Sequence, residues 1–204
     1  MQQFKNIIFD FGGVIFDIDY FRTQQAFEEL GITWFHELFA QQHSSEVFAK
    51  LETGKISEED FYEEFRKETK INLTNEQIKT AWNAMLVSYS IDRIELLKQI
   101  KNKYNLFLFS NTNVIHHAEF HKMYHEKFGH ADLDDLFKKP YYSHIMGLRK
   151  PTPESFLYII EEQKLNVAET LFIDDTFINI EAAKELGLQT IHLVPPKDLL
   201  NIGL

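Results

Sequence analysis

The sequence predicts an α/β protein with a doubly wound parallel sheet and a bundle of helices inserted after the first strand. Three observations favour this fold class. Short apolar runs end repeatedly on acidic or small polar residues, helical and strand patterns alternate from Ser90 onwards, and residues 17–88 show helical patterns without a convincing strand. Strands that alternate with helices indicate βαβ crossovers, which form parallel sheets.

The apolar runs predict buried strands because they are rich in aromatic and β-branched residues and stop abruptly at polar ones. They cover residues 4–9, 104–109 and 170–173, and they end on Asp10, Ser110 and Asp174–Asp175, respectively. The carboxyl ends of parallel strands meet at one edge of a sheet, where ligands bind. We therefore expect these polar side chains to converge on one site.

The stretch between the first two strands contains clear helix signals. Gly31 ends a predicted helix at 21–30, and Ser57 and Thr74 each begin another with a capping-box pattern. Helices without strands indicate a separate bundle. The predicted domains are 1–16 together with 89–204 for the α/β unit, and 17–88 for the helical unit.

The second half of the chain alternates regularly. Helices are predicted at 91–103, 113–128 and 177–186 and from Thr152 onwards, strands at 141–144 and 189–194, and a loop at 147–151. Thr152 and Pro153 suit the N-cap and the first position of a helix. This alternation completes the predicted doubly wound sheet.

Composition excludes several classes of partner. The 204 residues carry a net charge of −10, which argues against a nucleic acid or an anionic membrane surface as partner. The chain has no cysteine, which excludes disulfides and thiolate metal sites. We find no signal segment and no run of roughly 20 apolar residues. We expect a soluble, cytoplasmic protein, and the sequence leaves its oligomeric state open.

The predicted site has the chemistry of phosphoryl transfer. Asp10, Asp174 and Asp175 would repel one another unless a cation intervenes, and oxygen ligands of this kind suit Mg²⁺. Lys150 is the natural ammonium to neutralise the cluster. Ser110 and the following amides precede a predicted helix, which favours anion binding. An aspartate can also act as a nucleophile and form an aspartyl-phosphate.

These residues carry a family resemblance. Asp10-Phe11-Gly12-Gly13-Val14, Ser110-Asn111-Thr112, Arg149-Lys150-Pro151 and Asp174-Asp175 resemble, in this order, the motifs of the haloacid dehalogenase-like hydrolase superfamily. The helical insert lies where that superfamily has its first type of helical cap, on a Rossmann-like core. More narrowly, the stretches 16–19, 54–57 and 147–151 are similar to a bacterial subgroup that contains a glucose-1-phosphate phosphatase.

The resemblance implies roles for the site residues. Asp10 would be the nucleophile, and Lys150 would stabilise it and the transferring phosphate. Ser110 and the amide of Asn111 would bind the phosphoryl oxygens, and Asn113 is a candidate for substrate contact. The metal would be Mg²⁺, with ligands from Asp10, the carbonyl of Gly12 and Asp175, and with Asp174 as a second ligand or an outer-shell partner.

One position departs from the family pattern. Most phosphatases of the superfamily have a second aspartate two residues after the nucleophile as general acid and base, whereas this chain has Gly12. Losing a general acid typically costs about 10²–10⁴ in rate. Asp17 or Asp19 are candidates to replace it from the start of the insert. The missing acid argues against a phosphomutase.

The leading hypothesis is therefore a Mg²⁺-dependent phosphatase of a small phosphorylated metabolite, such as glucose 1-phosphate. Two alternatives stay open: a metal-free haloacid dehalogenase in which Asp10 attacks carbon, and a catalytically weakened binding or regulatory protein, suggested by Gly12. The acidic pair Asp174-Asp175 argues against the dehalogenase because it would repel a haloacid carboxylate.

Two further groups have simpler interpretations. His116, His117, His121 and His125 have helical spacing, which predicts an exposed helix face rather than a metal site. Trp34 and Trp82 are expected to pack in the core of the insert.

Overall fold

The computed structural model describes residues 4–40, 43–129 and 131–204. The first half of the chain contains β1 (Asn6–Phe9), β2 (Phe16–Ile18), α1 (Tyr20–Glu29), α2 (Phe35–Leu38), β3 (Phe39–Ala40), β4 (His43–Ser44), α3 (Glu46–Glu52), α4 (Glu58–Thr69), α5 (Asn75–Asn83) and β5 (Leu86–Tyr89). The second half contains α6 (Ile91–Ile100), β6 (Asn105–Ser110), α7 (Val114–Phe128), β7 (Lys139–Tyr142), α8 (Ser143–Met146), α9 (Pro153–Gln163), β8 (Thr170–Asp174), α10 (Phe177–Glu185) and β9 (Gln189–His192).

Five parallel strands form the main sheet, in the order β7-β6-β1-β8-β9. The first strand lies in the middle, and Phe9 at its end is level with Leu108 of β6 and Ile173 of β8. The residues that follow these three positions therefore emerge side by side at one edge. The predicted doubly wound parallel sheet is confirmed, and so is the convergence of its carboxyl ends.

Helices cover both faces of this sheet because successive strand residues point in opposite directions. Phe9 and Leu108 belong to one apolar cluster, which includes buried residues of α6 and α7. Ile8 and Phe107 belong to another, which includes buried residues of α9 and α10. The central strands are buried on both sides, which explains why their sequences are continuous apolar runs.

The helices between β2 and β5, here called the helical insert, have an apolar core of their own. Phe27, Phe48, Phe65 and Trp82 are completely buried in it, and the ring of Trp82 lies 4.8 Å from that of Phe48. The predicted capping boxes begin α4 and α5. A separate core is consistent with the domain boundaries at 17–88, which stay a prediction.

A short antiparallel ribbon joins the helical insert to the sheet, and the sequence did not indicate it. Strand β2 pairs with β5, so that Phe16 lies opposite Tyr89. These strands have 3 and 4 residues, too few for an alternating pattern to stand out. Arg93 of α6 ties the ribbon to the C-terminal segment, because its guanidinium contacts Asp17 at 2.7 Å and Asp198 at 2.6 Å.

The predicted strand at 141–144 needs a correction. Strand β7 ends at Tyr142, and Ser143 begins a helix of one turn that Gly147 ends with a φ of 72°. Such a short helix has no apolar period to detect. Within residues 4–40, 43–129 and 131–204, no helix has both the length and the apolar composition that crossing a bilayer requires.

Candidate active site

A buried ion cluster lies at the carboxyl edge of the central strands. Asp10 follows β1, Asp174 ends β8, and the ammonium of Lys150 lies 2.6 Å from Asp10 Oδ1 and 2.7 Å from Asp174 Oδ2. The side chain of Lys150 is only 1% exposed. Burial opposes its charge, but the two carboxylates outweigh that effect and raise the pKa of Lys150. Lys150 therefore stays charged between the aspartates.

Negative charge is in excess at this cluster. Oxygens of Asp10, Asp174 and Asp175 all lie within 4.8 Å of one another. Burial, followed by repulsion from Asp174 and Asp175, raises the pKa of Asp10 to about 8 although Lys150 opposes the shift. Burial and Asp174 also raise the pKa of Asp175. A divalent cation would remove this repulsion, and the all-oxygen donor set fits Mg²⁺.

The two acidic residues after β8 differ in their surroundings. Asp174 is fully buried and accepts hydrogen bonds from Lys150, from the amide of Thr176 and from the side chain of Asn179. Asp175 lines the cleft, and Gly13 packs against its carboxylate. A Cβ at Gly13, which has a φ of 75°, would lie 2.2 Å from Asp175 Oδ2. Position 13 therefore requires glycine.

Hydrogen bonds to two neighbouring segments hold Ser110-Asn111-Thr112 in place. The Asn111 side chain donates to the carbonyl of Lys150 and accepts from its amide, both at 2.9 Å. The Thr112 amide donates to Ser143 Oγ at 2.9 Å. Within the described residues the Ser110 hydroxyl has no hydrogen-bond partner, and Ser110 lines the cleft. The turn therefore offers a free hydroxyl beside a fixed backbone, as anion binding requires.

A cleft of about 310 Å³ opens above the cluster. Its floor is formed by the carboxyl edge of the main sheet and the loops that follow it, which together with the main sheet and its flanking helices are here called the sheet domain. Its roof is formed by the helical insert. The insert contributes Tyr20, Phe39, Glu52 and Met85. Glu52 Oε2 lies 2.6 Å from Arg149 Nη1, so one ion pair connects roof and floor. Burial raises the pKa of Glu52, and Arg149 opposes that shift.

Three candidate residues do not line the cleft: Asp17 and Asp19, which were expected near the substrate as replacements for the missing acid, and Asn113, which was expected to contact the substrate. Asp17 pairs with Arg93. Asp19 is the N-cap of α1 and accepts from the amide of Phe21 at 3.0 Å. Asn113 is 1% exposed and is the N-cap of α7. Local backbone groups and an arginine engage these side chains instead.

Gly12 lines the cleft, and the space beside its Cα is filled. A Cβ at this position would lie 2.8 Å from Ile18 Cδ1. The apolar end of Ile18, from the ribbon strand β2, occupies the volume where a second aspartate would begin. In the described part of the cleft, the volume of the missing second aspartate is therefore filled by an apolar group and not by another acidic side chain.

The prediction of an exposed histidine face is wrong for His116. This residue is 7% exposed and lines the cleft, and its ring stacks on Trp82 at 4.5 Å. Its Nε2 donates to the Trp82 carbonyl at 3.1 Å, and its Nδ1 accepts from the Asn113 side chain at 3.2 Å. Burial lowers the pKa of His116 to about 4, so the imidazole is neutral at neutral pH.

This buried histidine should make stability depend on pH. The unfolded chain protonates His116 near pH 6.5, whereas the folded chain resists protonation down to about pH 4. Its contribution is therefore complete above pH 6.5 and is lost as the pH falls towards 4, by about 3 kcal/mol. Urea unfolding at pH 7 and pH 4 should show this extra loss in the wild type but not in His116→Gln. Equal losses would contradict the assignment.

The fold and the site together define a hydrolase with an aspartate at the end of the first strand. The model of the haloacid dehalogenase-like hydrolase family matches residues 4–187. The chain belongs to this family.

Three relatives refine the comparison. D-ribitol-5-phosphate phosphatase of Bacteroides thetaiotaomicron is 35% identical over 92% of this chain and 91% of its own. A haloacid dehalogenase-like (HAD) family enzyme from the same organism was crystallised as a mutant with magnesium and inorganic phosphate. Its structure superposes on this chain with a TM-score of 0.90 at 32% identity, over 96% of each chain. Sesquiterpene phosphatase astK of Aspergillus oryzae is 29% identical over 93% of this chain and 90% of its own.

Sequence reasoning missed Tyr20 and Glu52. Both come from the helical insert, and only the packing of the insert over the sheet brings them to the cleft. The one available signal was the turn 54–57, which resembled the family subgroup and follows Glu52 after a single residue.

Proposed function

We propose that this protein is a Mg²⁺-dependent phosphatase that hydrolyses a small phosphorylated metabolite through an aspartyl-phosphate. The observation that carries the proposal is that Asp10 contacts the buried ammonium of Lys150 and lines the same cleft as the free hydroxyl of Ser110. A phosphoryl group placed there meets a nucleophile, a cation and an anion-binding turn at once, which is the arrangement that phosphoryl transfer needs.

Each side chain at the site has a separate role in the two steps of the reaction. A carboxylate oxygen of Asp10 forms a bond to phosphorus while the bond from phosphorus to the leaving oxygen breaks. Lys150 holds Asp10 in place, and Ser110 with the amide of Asn111 binds the phosphoryl oxygens. Because Gly12 has no side chain, the leaving oxygen takes its proton from water. A second water molecule then forms a bond to phosphorus as the bond to Asp10 breaks, and its proton neutralises the hydroxide left by the first step. Inorganic phosphate is released and the Asp10 carboxylate is restored.

The residues fit a bound Mg²⁺. Asp10, Asp175 and the carbonyl of Gly12 would hold the ion, and Asp174, which accepts hydrogen bonds from three protein groups, would orient them from behind. When bound, the ion would supply positive charge that stabilises the phosphoryl group and would neutralise the acidic cluster.

For the substrate we propose a sugar or polyol phosphate. The related D-ribitol-5-phosphate phosphatase supports this class, and the polar groups of Tyr20, Glu52 and Arg149 in the cleft suit hydroxyl groups. A second candidate is an apolar phosphate ester. Phe39, Met85 and other apolar residues also line the cleft, and the sesquiterpene phosphatase represents this class among the relatives.

Phosphate release from a panel of esters tests the proposal. The panel contains a pentitol 5-phosphate, glucose 1-phosphate, a prenyl phosphate and phenyl phosphate, each with Mg²⁺ and with EDTA. We expect turnover only with Mg²⁺, and a higher kcat/KM for a hydroxylated ester than for the other two. Preference for the prenyl ester would favour the second candidate. Turnover in EDTA would contradict the metal-dependent mechanism, and no turnover at all would favour a binding protein.

A further inference from the structure

We propose that Glu52 and Tyr20 of the helical insert, together with Arg149 of the sheet domain, form a subsite that binds hydroxyl groups of the substrate's leaving group. This subsite would select polyhydroxylated esters over apolar ones. The inference rests on the proposed phosphatase function and deepens it, since it assigns substrate choice to named side chains.

Glu52 has a buried carboxylate oxygen that is ion-paired but, among the residues that the structure describes, lacks a well-aligned hydrogen bond. The residue is 7% exposed, ends α3 and lines the cleft. Its Oε2 lies 2.6 Å from Arg149 Nη1, but within the described residues this buried oxygen has no hydrogen-bond partner of acceptable geometry. Buried carboxylate oxygens nearly always accept hydrogen bonds. A donor from a bound molecule would complete the coordination of Glu52.

The charge of Arg149 makes a carboxylate acceptable in this place. A lone carboxylate near a phosphate ester would repel it, whereas the pair of Glu52 and Arg149 has no net charge and keeps its hydrogen-bonding capacity. Arg149 directly precedes Lys150, whose backbone is held by Asn111 at two points. The pair is therefore tethered next to the phosphoryl site, where the leaving group of a short substrate would lie.

Tyr20 supplies the complementary donor. Its hydroxyl has no hydrogen-bond partner in the described part of the chain, and the residue lines the same cleft. A phenol donates, a guanidinium donates and a carboxylate accepts. Neighbouring hydroxyl groups of a polyol both donate and accept, so they can engage all three side chains. An apolar chain would leave the Tyr20 hydroxyl without a partner and Glu52 Oε2 with its ion pair but without a well-aligned hydrogen bond, and unsatisfied groups of this kind are how polar sites reject apolar ligands.

Packing holds Glu52 in its position. The turn after α3 approaches α8 so closely that a Cβ at Gly54 would lie 2.1 Å from the carbonyl oxygen of His144. Gly54 also has a φ of 65°. This contact fixes the end of α3 against the sheet domain, so Glu52 needs little rearrangement to bind.

The test compares two esters in several variants. We measure kcat/KM for a pentitol 5-phosphate and for phenyl phosphate in the wild type, Glu52→Gln and Tyr20→Phe. The ratio of the two values should fall about 10- to 100-fold in Glu52→Gln, since a hydrogen bond to a charged group is lost. Tyr20→Phe should lower the ratio less. Glu46→Gln is the matched control, because Glu46 is an exposed residue of α3 that pairs with Lys50, and it should not change the ratio.

A merely structural ion pair predicts a different result. If Glu52 only connects roof and floor, both esters lose activity equally in Glu52→Gln, so the preference for the polyol persists. The exchange Glu52→Arg with Arg149→Glu then restores activity on both esters together with that preference. Either result would overturn the proposal. Under the proposal the exchanged pair does not restore the preference, because acceptor and donor have changed places.

Binding measurements separate this inference from the proposed function. Calorimetry on Asp10→Asn should show that the pentitol phosphate binds more tightly than inorganic phosphate, and that adding Glu52→Gln removes about 10- to 100-fold of that advantage. Absence of turnover in the wild type would refute the phosphatase while this binding experiment still decides the subsite. Equal affinities for the two ligands would refute the subsite alone.

Discussion

Replacing Asp10 by asparagine should lower kcat by about 10⁴-fold or more at saturating Mg²⁺, because the amide cannot form the bond to phosphorus. The two side chains have nearly the same volume, so the fold should persist. Burial and the neighbouring carboxylates already disfavour the charged form of Asp10. The variant should therefore unfold at no lower temperature than the wild type when Mg²⁺ is absent. Phosphate release and thermal unfolding by circular dichroism give the two measurements.

A matched aspartate provides the control for this experiment. Asp19 caps α1 and lies outside the cleft, and asparagine caps helices as well as aspartate does. Asp19→Asn should keep kcat within a few-fold of the wild type. A loss comparable to that of Asp10→Asn would show that Asp19 handles protons after all. Normal turnover in Asp10→Asn would eliminate the covalent mechanism.

Replacing Lys150 by methionine should have the largest effect on stability. The variant leaves the buried carboxylates of Asp10 and Asp174 without their shared cation. Breaking a buried ion cluster from one side costs about 3–5 kcal/mol in the free energy of unfolding. Mg²⁺ should restore part of this loss, since a dication in the acidic cluster replaces the missing positive charge.

Urea unfolding in EDTA measures the loss of stability in Lys150→Met. Urea unfolding with Mg²⁺ measures how much of that loss the ion restores. Lys184→Met is the control, because Lys184 forms an exposed pair with Glu181 on α10 and exposed pairs contribute about 0–1 kcal/mol. A Lys150→Met variant that Mg²⁺ stabilises no more than the wild type would place the metal elsewhere.

The parts of the fold that follow from local pattern were predictable. The central strands are buried on both faces, so they appear as apolar runs, and the polar residues at their ends point to Asp10, Ser110 and the acidic pair from the sequence alone. Lys150 was expected to neutralise the cluster, and it lies between Asp10 and Asp174. The need to balance the charge of three aspartates was enough to predict this role for Lys150.

Other features depend on contacts between distant segments. Glu52 looks like any acidic residue at the end of a surface helix, and only the packing of α3 against α8 brings it to the cleft. The predictions for Asp17, Asp19 and Asn113 meet the same limit, because an arginine or backbone amides engage these side chains. Aspartate and asparagine also cap helices and pair with arginines, and proximity to a motif in sequence does not distinguish these uses from substrate binding.

The contact between Gly12 and Ile18 limits the space at position 12. A side chain there would first meet that of Ile18. Because the contacting atom is the flexible end of Ile18, an aspartate at position 12 would require this side chain to change its rotamer. The apolar end of Ile18 therefore has a second role besides packing in the ribbon, since it sets how much room the position beside the nucleophile has.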